Sequence, residues 1–541
     1  MEQKGNNRYD KNGITPFRKS NDITIKGGET EMGNRVFALF ILPCLLFYAF
    51  PVQAAEKEER TWQDEAIYFI MVDRFNNMDP SNDYNVNVND PKGYFGGDLK
   101  GVTAKLDYIK EMGFTAIWLT PIFKNEPGGY HGYWIQDFYK VDPHFGTMED
   151  LKTLVKEAHK RGMKVILDFV ANHTGYHHPW LNDPAKKDWF HEKKEIFDWN
   201  NQKQVENGWV YGLPDLAQEN PEVKRYLIDA AKWWIKQTDI DGYRLDTVRH
   251  VPKSFWQEFS KEVKSVKKDF FLIGEVWSED PRYIADYGKY GIDGFIDYPL
   301  YNAVTKTLTK RDQSLRSLYD VWEYNKTFYD RPYLLGTFLD NHDTVRFTKL
   351  AIDNRQNPIS RIKLAMSYLF SAPGIPIMYY GTEIAMNGGE DPDNRRLMDF
   401  RADREIIDYI KKLGELRQKL PSLRRGDFTL LYEKDGMAVF KRHYKDETTV
   451  IAINNTGKTQ KVHITNDQLT PGKELRGLLA GDLVRSGRDG YDIIINRETA
   501  EIYALADKTG INIPFIMAIV AVYVLFILFL YLVKRRSKQA T

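Results

Sequence analysis

Three acidic residues close three strand-like segments of this chain: Asp246 ends Asp-Gly-Tyr-Arg-Leu-Asp, Glu275 lies in Leu-Ile-Gly-Glu-Val-Trp, and Asp343 ends Phe-Leu-Asp-Asn-His-Asp. The C-terminal ends of parallel strands in a closed barrel open onto one cleft, so these acids are expected to converge. Residues two apart in a strand project to the same side, which puts Arg244 beside Asp246. A guanidinium next to a carboxylate keeps that acid ionised, as a nucleophile requires. Glu275 is flanked by Val276 and Trp277, an apolar setting that favours the proton-bearing form a general acid needs. Any one acid at a strand end is as readily a helix cap or an ion-pair partner. Three with these flanks point to a catalytic site.

The elements that would position them alternate from Ala66 onward. Segments 66–72, 116–119, 164–170, 242–246, 271–275, 294–296, 335–339 and 375–380 read as strands, with amphipathic helical stretches such as 151–159 and 223–235 between them. Eight strands in this rhythm predict an α/β fold, a (β/α)8 TIM barrel over 55–424. From 175 to about 212 the rhythm breaks, with Pro, Asn and Trp and no clear helix, which predicts a small inserted domain walling one side of the cleft. Past Arg425 short alternating strands separated by turn residues (437–443, 448–455, 492–496, 501–505) predict a C-terminal antiparallel β-sandwich over 425–506.

Four segments, Asp168–Thr174 (DFVANHT), Gly242–His250 (GYRLDTVRH), Gly274–Trp277 (GEVW) and Phe338–Asp343 (FLDNHD), resemble in order and separation the signature regions of the α-amylase family, glycoside hydrolase family 13. Leu213–Leu216 (LPDL) is similar to a fifth region, and the resemblance runs from about Thr61 to Ala506. Within the family the chain looks most like secreted bacillus-type α-amylases, with similarity also to cyclodextrin glucanotransferases and maltogenic amylases.

The resemblance implies Asp246 as nucleophile, Glu275 as acid and base, and Asp343 as stabiliser of the oxocarbenium-like state, with retention of configuration. It implies sugar contacts from His131, Tyr133 and Trp134 of His-Gly-Tyr-Trp, from His173, Arg244 and His342, and on the donor side from Asp391 and Arg395. On the acceptor side it implies Arg249 and His250. Many family members have Lys where this chain has Arg249 and Ala where it has Thr247, which leaves acceptor preference open. Tyr211 falls near where glucanotransferases place an aromatic that favours cyclisation. The expected cofactor is calcium, which takes six to eight oxygen ligands. Asn172, Asp215 and the carbonyl of His250 match the family site joining barrel to insert. A second set, Asn77, Asp79, Asn82 and Asp83 with Gly96 and Asp98, resembles an N-terminal loop site, although Asn77 and Met78 replace the usual Asp-Gly, so a sodium or no ion is an alternative there.

Composition bounds the partners. Lys and Arg total 76 against 75 Asp and Glu, so neither nucleic acid nor an acidic partner is implied. The one cysteine, Cys44, lies in an apolar run, so the folded part holds no disulfide. That run, 36–52, follows Arg35 and ends at Val-Gln-Ala, which predicts a signal peptide over 32–54, with Met32 as an alternative start and 1–31 as an extension. A second run, 513–533, has no charge over about 21 residues, enough to cross a bilayer. The basic tail 534–541 follows it. Positive flanks stay cytoplasmic, so the chain is expected to be a monomeric, single-pass membrane protein with its catalytic domain outside, retained or released by proteolysis, acting on starch or maltooligosaccharides. A transglycosylase or cyclomaltodextrin-acting enzyme, an exo-α-glucosidase, and a non-catalytic amylase-like ectodomain are the alternatives. The intact set of acids and histidines disfavours the last.

Overall fold

The computed structural model describes residues 59–508 and 513–538. The extension and the signal-peptide segment expected at 1–54 lie outside the described residues.

The predicted barrel strands all form. In chain order the strands of the first domain are β1 (Ile67–Ile70), β2 (Ala116–Leu119), β3 (Phe123–Asn125), β4 (Ile135–Val141), β5 (Lys164–Phe169), β6 (Gly242–Leu245), β7 (Phe271–Gly274), β8 (Gly294–Phe295), β9 (Gly336–Thr337) and β10 (Ile375–Tyr379). Eight of them make one parallel sheet in the order β8-β7-β6-β5-β2-β1-β10-β9, and a bridge between Ile296 and Gly336 joins its two edges. The strands are apolar on both sides because each packs inward on the barrel core and outward on helices. In β6 the alternation is explicit. Tyr243 points out, and its hydroxyl donates to the Ala231 carbonyl (2.8 Å) on the helix Pro221–Thr238, while Arg244 points in.

Helix boundaries follow capping chemistry. Thr147 and Asp150 form a reciprocal capping box at the start of Met148–Lys160. Asn220 caps Pro221–Thr238, whose first residue is the proline that suits that position. The antiparallel pair β3–β4 was not anticipated from the sequence. Its strands, of three and seven residues, interrupt the barrel after β2, and the loop between them carries His131, Tyr133 and Trp134. The segment 175–212 contains 3-10 turns at Pro179–Asn182 and Pro184–Trp189, and also a helix, Gln202–Asn207, where none was expected. At six residues that helix is too short to display an apolar period, and the Asn201 cap was its only local signal.

The C-terminal domain is antiparallel. With β11 (Thr429–Lys434), β12 (Met437–Tyr444), β13 (Glu447–Asn454), β14 (Gln460–Thr465), β15 (Lys473–Gly477), β16 (Leu483–Arg485), β17 (Gly490–Ile495) and β18 (Thr499–Asp507), it forms a six-stranded sheet β11-β12-β13-β18-β15-β16 and a two-stranded sheet β14–β17. Val439, Val450 and Leu475 of the larger sheet share a core with Val462, Ile464 and Ile493 of the smaller. A helix over Ile513–Ser537 follows. It is long and apolar enough to cross a membrane, and it continues through Lys534, Arg535 and Arg536 because neither residue type breaks a helix.

Candidate active site

The barrel ladder runs on past the strand ends into the acids. The Asp246 amide donates to the Phe169 carbonyl (3.0 Å) and the Glu275 amide to that of Leu245 (2.9 Å), so both acids begin where regular pairing stops. Thr247 follows Asp246 with φ of 43°, a left-handed conformation that a β-branched residue rarely adopts. That turn aims its amide at Glu275 Oε2 (3.0 Å) and its hydroxyl at Asp246 Oδ2 (3.0 Å).

One guanidinium organises the cluster. Arg244 Nη1 donates to both oxygens of Asp168 (2.9 Å each) and to Asp246 Oδ1 (2.7 Å), and Nη2 lies 2.7 Å from Glu275 Oε1. Arg244, expected among the sugar contacts, is instead 1% exposed beneath the cleft floor, closed in by Asp168, Trp118 and Tyr133. Nor does it serve Asp246 alone, so its hold on that carboxyl is diluted. Burial raises Asp246 well above the ordinary carboxylate range, against the pull of Arg244 and with Glu275 and Asp168 adding to the rise. Burial likewise pushes Asp168 up to about 6, with Arg244 and the Tyr133 hydroxyl opposing.

Sequence reasoning overlooked Asp168 as a site residue. It accepts from Tyr133 Oη (2.9 Å) and Trp118 Nε1 (3.3 Å) as well as from Arg244. Two signals were available: it lies in the same signature segment as His173, and it is an acid within the apolar run that follows Lys164 in β5. Tyr298 was also missed. Its hydroxyl donates to Glu275 Oε1 (3.0 Å) from the first turn of the helix Tyr298–Leu308, whose cap is Asp297. With Arg244, Tyr298 and the Thr247 amide around it, the Glu275 carboxyl has polar surroundings, unlike the apolar setting read from its neighbours in sequence. Trp277 turns away to the cleft surface and is 49% exposed.

Asp343 stands across the cleft. Arg395 Nη2 donates to its Oδ1 (3.1 Å), and His342 Nε2 lies 3.2 Å from its Oδ2. Arg395 also donates through Nε to the His342 carbonyl (2.9 Å) and pairs with Asp391 (3.1 Å), so the pair is tied into the site rather than isolated on the surface. Tyr133 stacks on His342, with ring centroids 5.2 Å apart and planes 9° from parallel. Burial holds His131 and His342 well below the usual histidine range, brings His173 down to about 3 and brings His250 down to about 4. All four are neutral at pH 7 and act as hydrogen-bonding groups.

These residues line one open cleft of about 690 Å³. Its walls hold His131, Tyr133, Trp134, His173, Asp246, Arg249, His250, Glu275, His342, Asp343, Asp391 and Arg395 of the expected set, with Tyr176, Trp199, Tyr211, Leu213 and Trp277 added. Tyr211 is 85% exposed in a left-handed conformation (φ 52°), and its carbonyl accepts from Tyr176 Oη (3.2 Å). Arg249 lines the cleft but directs its guanidinium at two backbone carbonyls, those of Trp277 and Trp199.

Among the described residues no three His, Cys, Asp or Glu side chains gather in a metal-holding group. The two expected calcium sets differ in how they fit an ion. In the first, Asn172 Oδ1 and Asp215 Oδ1 are buried oxygens without a hydrogen-bond partner, while His191 takes the other Asp215 oxygen. Orphaned buried oxygens of this kind fit a hard cation. In the second, Asp98 caps a helix and accepts from the Met78, Asp79 and Gly101 amides, Asp79 pairs with Lys100, and Asn77 donates to Asp83. A Cβ on Gly96 would meet Asn77 Nδ2 at 2.5 Å. Among the buried oxygens of this set only that of Asn82 is unpartnered, and the carboxylates are taken up by amides, Lys100 and Asn77, so the set is a hydrogen-bonded turn that does not fit an ion as arranged.

Comparison with known proteins gives the same direction. The family described as α-amylase catalytic domain matches residues 69–415, and that of the α-amylase C-terminal domain matches 426–503. The crystal structure of an α-amylase from Geobacillus thermoleovorans in complex with acarbose is 85% identical, covers 83% of this chain and all of its own, and superposes with a TM-score of 0.82. A β/α-amylase of Paenibacillus polymyxa is 38% identical over 82% of this chain, which spans only 38% of that protein's length. A cyclomaltodextrinase of Thermoanaerobacter pseudethanolicus is 35% identical over 74% of this chain and 72% of its own.

Proposed function

Because the chain belongs to the α-amylase family of glycoside hydrolases, we propose that it is an α-amylase proper, an endo-acting, retaining hydrolase of α-1,4-glucosidic bonds in starch and maltooligosaccharides. The observation that carries this reading is the bridge made by Arg244, 2.7 Å from Asp246 on one side and 2.7 Å from Glu275 on the other. One guanidinium touching both acids favours the roughly 5–5.5 Å carboxyl spacing of a double displacement over the wider gap that holds a water.

In this reading Asp246 attacks the anomeric carbon while Glu275 gives its proton to the departing glycosidic oxygen. The covalent glycosyl ester is then cleaved by water, whose proton returns to Glu275. Asp343, oriented by Arg395 and His342, accepts from sugar hydroxyls and supports ring distortion. Tyr133 supplies the stacking floor, and the neutral imidazoles of His131, His173 and His342 supply hydrogen bonds to the same sugar. An open cleft lined on both sides of the acids supports internal cleavage. Asn172, Asp215 and the His250 carbonyl would hold calcium, whose charge would fix the cleft wall beside His173 to the barrel. The cyclomaltodextrinase relative and the exposed Tyr211 favour a second reading, in which transfer to a sugar competes with transfer to water.

The apolar helix after the sandwich supports anchoring in a membrane, with Lys534–Arg536 on the cytoplasmic side and the enzyme on the outer face. The test is product analysis with the detergent-solubilised full chain on maltoheptaose and on end-blocked maltooligosaccharides, alongside Asp246→Asn. Internal cleavage by wild type, with release of α-anomers and loss in the variant, is expected. Cleavage only of unblocked ends, or rings and lengthened chains as the main products, would reject the α-amylase reading.

A further inference from the structure

Arg249 sits where the two walls of the cleft meet. Its Nη1 donates to the Trp277 carbonyl (2.9 Å) in the loop after β7, and its Nη2 donates to the Trp199 carbonyl (2.8 Å) in the inserted segment. Its guanidinium lies 5.5 Å from the Tyr283 ring centroid. Gln202 secures the residue from behind: Nε2 donates to the Arg249 carbonyl (3.0 Å), and Oε1 accepts from Tyr283 Oη (2.6 Å). The far end of the same chain of contacts reaches the acid. Trp277 stacks on Tyr298, with centroids 4.9 Å apart and planes at 18°, and the buried Tyr298 hydroxyl donates to Glu275 Oε1 (3.0 Å).

We propose that Arg249 is a positioning residue for the proton donor and not a sugar ligand: by bridging the Trp199 and Trp277 carbonyls it fixes the Trp277–Tyr298 stack, and through the Tyr298 hydroxyl it fixes the Glu275 carboxyl. The inference rests on the reading of Glu275 as the group that protonates the departing oxygen. The planar fork of arginine matches two acceptors at a fixed spacing, whereas the single ammonium of lysine does not. Proton donation is sensitive to such placement, since a misplacement of about 1 Å can cost on the order of a hundredfold in rate.

The test compares two substrates. Maltoheptaose needs its leaving oxygen protonated, whereas α-maltotriosyl fluoride has a leaving group that departs with little proton donation. Arg249→Lys is expected to lower kcat on maltoheptaose about tenfold, to leave KM within about twofold, and to leave kcat on the fluoride within about twofold. Tyr298→Phe removes only the hydroxyl at the other end and should give the same pattern, so it keeps the test open if Arg249→Lys does not fold. The double variant should be no slower than the slower single one, because both act along one path. A raised KM with kcat kept identifies a sugar ligand and overturns the proposal. Equal losses on both substrates, or an Arg249→Lys enzyme that matches wild type, overturn it as well. A wild-type protein inactive on both substrates overturns the functional reading together with this inference, whereas an active wild type separates the two.

Discussion

Replacing Arg244 with lysine tests whether one guanidinium organises the acid cluster. Arginine reaches Asp168 and Asp246 with Nη1 and Glu275 with Nη2, and the side chain is 1% exposed. Lysine keeps the charge but offers one nitrogen, which can stand where Nη1 stood or where Nη2 stood and cannot do both. At least one charge-assisted hydrogen bond to a carboxyl is lost, at about 1.5–3 kcal/mol, and burial keeps water from replacing it. At about 1.4 kcal/mol per factor of ten, kcat/KM on maltoheptaose should fall about 10- to 150-fold. Arg244→Met removes the counter-charge altogether and leaves three buried carboxyls unpaired. A stability loss of about 3–5 kcal/mol is expected there, with activity lost as well. Initial rates and thermal unfolding, measured on the same preparations, separate the two effects. An Arg244→Lys enzyme within threefold of wild type would falsify the claim that the fork, rather than the charge, holds the acids.

Three further outcomes are expected. Chelation with EGTA should lower the unfolding temperature of wild type, and this difference should shrink in Asn172→Ala, which loses one of the two orphaned oxygens; equal shifts in both would remove Asn172 from the ion's ligands. His159 Nε2 bonds Asp241 at 2.8 Å, and that hydrogen bond raises the imidazole above its usual range against the effect of burial. The stabilisation is therefore fully present below about pH 6.5 and is lost as pH rises through the raised value. His159→Gln should accordingly lower the unfolding temperature at pH 6 and much less at pH 9, and a pH-independent difference would count against it. Full-length chain should fractionate with membranes and resist alkaline carbonate extraction, whereas a chain ending at Lys508 should be soluble.

Much of this was legible because the relevant signals are local. Strand alternation placed Arg244 with Asp246 on the inner side of the barrel, and the uncharged run 513–533 became a helix. What escaped depends on contacts between distant segments. Asp168 meets Arg244 across 76 positions of chain, and Tyr298 meets Glu275 across 23, with β8 between them. The apolar flank of Glu275 misled for the opposite reason. Sequence neighbours of a residue at a strand end face other ways, so its surroundings come from the next strand and from a helix cap. Strand β3 escaped because three residues, paired to β4 with two register irregularities, carry no period to read.

Burial and charge together divide the labour among the acids more fully than any single flank does. Asp168, Asp246 and Glu275 share one cation in a site sealed from water below, so the cluster retains a proton that separate carboxylates would release. The proposed double displacement needs one ionised acid and one protonated acid, and the shared guanidinium touches both candidates, Asp246 and Glu275. Asp168→Asn tests this balance. Asparagine keeps one accepting oxygen toward Arg244 and removes one negative charge, so the guanidinium is shared by two carboxyls instead of three. Asp246, raised by burial and in part by Asp168, should then ionise more readily, against the remaining influence of Glu275 and with Arg244. The acid limb of the kcat/KM profile should move to lower pH even as the maximum falls through the loss of a good acceptor for Tyr133 and Trp118. A limb that stays in place, or moves to higher pH, would show that Asp168 holds the arginine without setting the charge state of the nucleophile.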